Sequence, residues 1–221
     1  MDTKLILNFL SDLSKNNNTA WMAENKIHCD IAKKEFYNIV EELIYRMYSV
    51  DSTLKNIEPK DCIFRLNRDI RFSSDKSPYK EFMGSYILNG GKKAENAGYY
   101  IHLQPNGQSL VAAGFYMPPT EKLNLIRQEI SENGDELLKI INEPQFKSTF
   151  GGFKAEKLKK SPRNFSPTDK FIELIKLKSF DVAYFYKDNF VMNTDKFLDD
   201  VISKFEIAMP LNHYLNNAAN G

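Results

Sequence analysis

The chain is poor in the features that announce a function. Cysteine occurs twice in 221 residues, at Cys29 and Cys62, with no CxxC pair. Thiols so few and so far apart exclude a disulfide scaffold or a zinc ribbon, and read as buried side chains of a reduced, cytoplasmic protein. Tryptophan occurs once, at Trp21, and its place between two helical patterns makes it a packing residue over the first helices. Excess charge is missing too: 30 Lys and Arg stand against 29 Asp and Glu, a net +1. Such a balance gives no overall attraction to nucleic acid or membrane, so electrostatic recognition has to come from local clustering. No apolar run approaches the roughly 18 residues of a membrane span. "MDTKLILNFLSDL" lacks the basic start and small-residue cleavage site of a secretory signal. The three histidines, His28, His102 and His213, form no HxxH or HxH pair, so no metal is expected. GxGxxG, GxxxxGK[ST] and GxSxG are all missing. That removes the usual dinucleotide, P-loop and serine-hydrolase fingerprints and leaves any cofactor unknown.

What is present is a clear alternation of periods. Ile6, Phe9, Leu10 and Leu13 predict an amphipathic helix over 3–14. After the breaker "KNNNTAW", the stripe Ile31, Phe36, Val40, Leu43 and Met47 predicts a longer one over 24–49. The period then falls to two in "CIFRLNR", "MGSYILNG" (83–90), "GYYIHLQP" (98–105) and "SLVAAGFYM" (109–117), which predict strands. "PNGQ" between the last two is a hairpin signal, because Asn-Gly adopts positive φ readily. Helices are expected at 120–130 and 134–143, another strand at 179–187, and a last helix over about 194–209. Pro210 should stop or kink that helix, with a short terminal helix after it. The order implies a single α+β domain over residues 1–221. An antiparallel sheet of about four to six strands packs with N-terminal, middle and C-terminal helices. Residues 1–55 form the helical part, 60–118 the sheet core, and 119–221 the remaining helices plus one further strand.

The densest charge lies in "FRLNRDIRFSSDKSPYK". Arg65, Arg68, Arg71, Lys76 and Lys80 stand there against only Asp69 and Asp75. Two like charges about 4 Å apart repel by roughly 4 kcal/mol at an effective dielectric near 20, so converging cations need a counter-charge. Asp69 and Asp75 balance two of the five, and a bound anion is a natural neutraliser of the rest. Arginine's planar fork suits phosphate or carboxylate. The expected ligand set is Arg65, Asn67, Arg68, Arg71, Lys76, Tyr79 and Lys80, joined by Arg163 from the second basic run "FKAEKLKKSPR". His102, mid-strand with Tyr100 and Gln104 on its face, is the candidate for proton transfer, with Asp69 beside it. The expected partner is thus a phosphorylated or carboxylated small molecule. Two alternatives stay open: a nucleic-acid-binding module built on basic loops and aromatics, and a partner-binding protein whose cluster is an internal ion-pair network.

Several stretches together resemble a known family. "FLSDLSKNNNTAW", "FRLNRDIRFSSDKSPYK", "AGYYIHLQPNGQSLVAAGFYMPP", "LKKSPRNFSP" with "IELIKLKSF", and "FEIAMPLNHYLNNA" follow in order the pattern of domain of unknown function 2461, a family of conserved hypothetical proteins. One mild departure is Trp21-Met22, where the family pattern leads one to expect Trp-Phe. The resemblance implies a soluble single-domain protein, typically bacterial. It implies no particular activity and no catalytic residue.

Overall fold

Residue spacing sets most element boundaries. The computed structural model describes residues 1–221. In chain order it has α1 (Thr3–Lys15), α2 (Thr19–Glu24), α3 (Lys26–Tyr48), α4 (Pro59–Cys62), β1 (Met83–Ile87), β2 (Gly98–Leu103) and β3 (Ser109–Phe115). There follow α5 (Thr120–Asn142), α6 (Pro144–Phe150), α7 (Ile172–Ile175), β4 (Phe180–Tyr186), α8 (Asp188–Val191) and α9 (Thr194–Asn220). The strands form one antiparallel sheet in the order β1-β2-β3-β4. The protein is therefore an α+β domain whose sheet packs with N-terminal, middle and C-terminal helices. No helix is long and apolar enough to cross a membrane. Cys29 and Cys62 are buried free thiols.

Contacts gather the chain into two compact units. The first comprises residues 1–92, 100–111 and 185–203. Asp2 caps α1 by accepting from the Leu5 amide at 2.9 Å, meeting one of the unpaired N–H groups of the first turn. Ile6, Leu7, Leu10 and Leu13 of α1 are buried, as are Cys29, Ala32, Phe36, Ile39, Val40, Leu43 and Met47 of α3. Each large side chain so buried contributes about 1.5–3 kcal/mol. Ile31, expected on the α3 stripe, is exposed instead. The true stripe runs through Cys29 and Ala32, whose small side chains carry little periodic signal. Between β2 and β3, Asn106 and Gly107 take φ of 66° and 70°, as the hairpin signal requires. Their amides donate to the Asp188 carboxylate at 2.8 Å each.

The second unit comprises residues 93–99, 112–184 and 204–221. Tyr99 packs on Phe205 with ring centroids 5.0 Å apart. Asn216 holds the Ala97 backbone from both sides, accepting at 2.8 Å and donating at 3.1 Å. The two helices expected at 120–130 and 134–143 are found as the two arms of α5, which meet at a kink where Asn133 takes the non-helical φ −132° and ψ 28°. Pro210 does not end the last helix, which continues to Asn220. A proline removes one backbone hydrogen bond, but Ala208, Leu211, Leu215 and Ala219 keep one side buried through that point.

Candidate functional site

The segment expected as a strand at 62–67 is not a continuous one. Cys62 ends the short helix α4, and antiparallel bridges form only at Ile63–Ser85 and Asn67–Tyr79. The Phe64 amide donates to Gly84 O, and the Lys80 amide to Leu66 O. Arg65 alone thus faces the three residues 81–83, a bulge of two extra residues. Bulges re-aim side chains, and this one aims Phe82 at His102. Alternate burial survives: Cys62 and Leu66 are buried, while Arg65 and Asn67 are exposed. Asn17, from the Asn-rich turn, accepts from the Tyr79 amide at 3.1 Å and donates to Tyr79 O at 3.0 Å, pinning the returning arm.

Two of the five cations are neutralised by carboxylates of the loop itself. Arg68 pairs with Asp75 and donates to Ser77 Oγ at 2.6 Å. Arg71 grips Asp69 through Nε at 3.0 Å and Nη2 at 2.7 Å. Each partner guanidinium holds its aspartate below the usual carboxylate range. The Lys76 ammonium donates to Ile70 O at 2.9 Å. Asp69 is exposed and engaged by Arg71. Arg163 is exposed and lies in the second unit.

Three cations of the cluster have no carboxylate partner: Arg65, the exposed Lys76, which meets only the Ile70 carbonyl, and Lys80. Arg65 is exposed, whereas Lys80 is half-buried. Its ammonium lies 5.4 Å from the Phe64 ring centroid and 5.5 Å from that of Phe82, within cation–π range. Burial, with repulsion from Arg65, draws its pKa below the ordinary lysine value.

Below this pair lies a hydrogen-bonded row on β2. Tyr100 Oη is 2.9 Å from His102 Nδ1, and His102 Nε2 is 2.7 Å from Gln104 Oε1. The amide oxygen can only accept, so Nε2 carries the proton and Nδ1 accepts from the phenol. Burial lowers the His102 pKa, partly offset by Gln104, and pushes the Tyr100 hydroxyl up to about 12. All three groups are therefore neutral near pH 7. Phe82 stacks on His102 at 4.3 Å, and Phe64 meets Tyr100 edge-on at 6.4 Å. Gly84 makes room for this packing, since a Cβ there would stand 2.8 Å from Tyr100 Oη.

The structure thus brings together Arg65 and Lys80 from the expected set, beside His102. Tyr100 and Gln104 share the face of His102, as their alternation in the sequence predicts, whereas Phe82 is not among the expected site residues. Phe82 lies in the bulge just before β1, outside any strand alternation, so no local pattern marks it. No group of three or more His, Cys, Asp or Glu side chains is placed to hold a metal ion. No curated protein and no solved structure matches the chain. A family model described as "Conserved hypothetical protein (DUF2461)" matches residues 5–214, and the chain belongs to that family.

Proposed function

We propose that the protein binds a small phosphorylated or carboxylated molecule over the β1–β2 face, with Lys80 and Arg65 holding the anion. The carrying observation is Lys80: an ammonium half-withdrawn from water, seated on two rings, repelled by a neighbouring guanidinium and met by no carboxylate. An anion at that point relieves the repulsion and replaces lost hydration with a charge-assisted hydrogen bond. The rings of Phe64 and Phe82 offer an apolar wall to the rest of the ligand. His102, with both nitrogens hydrogen-bonded to neutral partners, serves as a positioning residue that orients Phe82 and Tyr100.

Thermal melting against nucleotides, sugar phosphates and carboxylates tests this reading. A ligand at one hundred times its Kd stabilises by about 2.7 kcal/mol, a rise of several degrees for a chain of this length. Lys80→Met keeps the aliphatic stem and removes the charge. It is expected to melt no lower than wild type and to lose the ligand-induced rise. A flat response of the wild-type protein across the panel contradicts the proposal.

A further inference from the structure

A second place in the molecule has the opposite charge. Glu129 and Glu136 stand on either side of the α5 kink at Asn133, and Glu143 follows the last residue of that helix. With Glu206 of α9 they line an open groove of about 760 Å³ within the second unit. Four carboxylates face one ammonium there, that of Lys139, alongside His213. No salt bridge forms at any of the four glutamates. Glu129 accepts from the Asn133 amide and Glu143 from the Phe146 backbone, both neutral donors. The walls between the charges are apolar, formed by Ile140, Phe146, Ile207 and Pro210.

The groove is more than an acidic surface. Tyr214 contributes to its lining and is 5% exposed. Its hydroxyl is buried and meets no hydrogen-bond partner in the protein, an arrangement that costs about 1–3 kcal/mol if nothing answers it. Burial, aided by Glu129 and Glu136, raises the pKa of this phenol above the ordinary tyrosine value, so the oxygen stays a neutral donor and acceptor.

We infer that this groove holds an aliphatic polyamine. Protonated amines spaced along a methylene chain match carboxylates spaced along apolar walls, and one amine N–H meets the Tyr214 oxygen. A bare metal ion would leave the apolar walls unused. A ligand of one charge would leave most of the carboxylates unanswered. The inference is independent of the anion site in the other unit.

Calorimetric titration with spermidine at low salt tests it. Saturable binding is expected, tighter for spermine and weaker for putrescine. Glu136 and Glu206 are exposed and unpaired, so Glu136→Gln with Glu206→Gln preserves the fold, checked by circular dichroism, and should weaken spermidine at least tenfold. Tyr214→Phe should weaken it several-fold, while Lys80→Met should leave it unchanged. The inference is overturned if spermidine gives no saturable heat, or if the double variant binds as wild type does. It is equally overturned if magnesium chloride at matched ionic strength reproduces the effect, or if only a basic peptide binds.

Discussion

Both nitrogens of His102 are committed to neutral partners, and burial opposes its protonation. The folded pKa therefore lies below the unfolded value of about 6.5. Above that pH both states hold a neutral ring, and the histidine contributes no pH dependence. Below it the unfolded chain takes up a proton that the fold resists, so stability falls with falling pH. Melting curves from about pH 7 to pH 5 should drop more steeply for wild type than for His102→Gln. Parallel curves would show that the ring is not shielded. Arg127 is a second residue whose role follows from burial. It is 5% exposed and donates to Ile175 O at 2.8 Å and Leu177 O at 3.1 Å, satisfying carbonyls at the end of α7. Arg127→Ala should cost about 2–4 kcal/mol in a denaturant titration, since two charge-assisted bonds are lost and two carbonyls orphaned. Nothing in "NLIRQEI" marks this arginine as buried, because a helix pattern does not say which charged residue finds backbone partners elsewhere.

At the scale of elements, β3 and β4 meet at a point only glycine permits. Gly114 has φ of +119°, and a Cβ there would stand 2.1 Å from Phe180 O. Gly114→Ala should destabilise by at least about 3 kcal/mol, through strain and a forced separation of backbones. A variant that melts like wild type would contradict that close approach. Most elements were legible because each period is set by burial on one face, as in α1 and the β2–β3 hairpin. What was not legible has a physical cause in each case. The two-residue bulge near Phe82 depends on pairing across the ribbon, which no local pattern encodes. The pairing of Arg68 with Asp75 depends on how a loop closes. The helix through Pro210 depends on a buried stripe outweighing one missing hydrogen bond. The gathering of Glu129, Glu136 and Glu143 at one groove crosses the kink at Asn133 and the end of α5, so their seven-residue spacing does not announce it.

For the whole molecule, a net charge of +1 conceals two local imbalances of opposite sign. One is the unpaired Arg65–Lys80 pair, the other the glutamates of the α5–α9 groove. The sequence reading located the first as a charge excess and matched Asp69 and Asp75 to two of its five cations. Which three cations are left over, Arg65, Lys76 and Lys80, is settled by the fold of the loop. The functional account now rests on Lys80 as the seat of an anion. Its side-chain pKa, followed by NMR of the lysine ammonium and its neighbouring methylene, is the most direct measure. Without ligand it should lie below the ordinary lysine value, because burial and then Arg65 disfavour the charge. With a saturating phosphorylated or carboxylated ligand it should rise, with chemical shifts changing at Lys80 and Arg65 together. An ordinary pKa at Lys80, unmoved by every anion tried, would contradict the account.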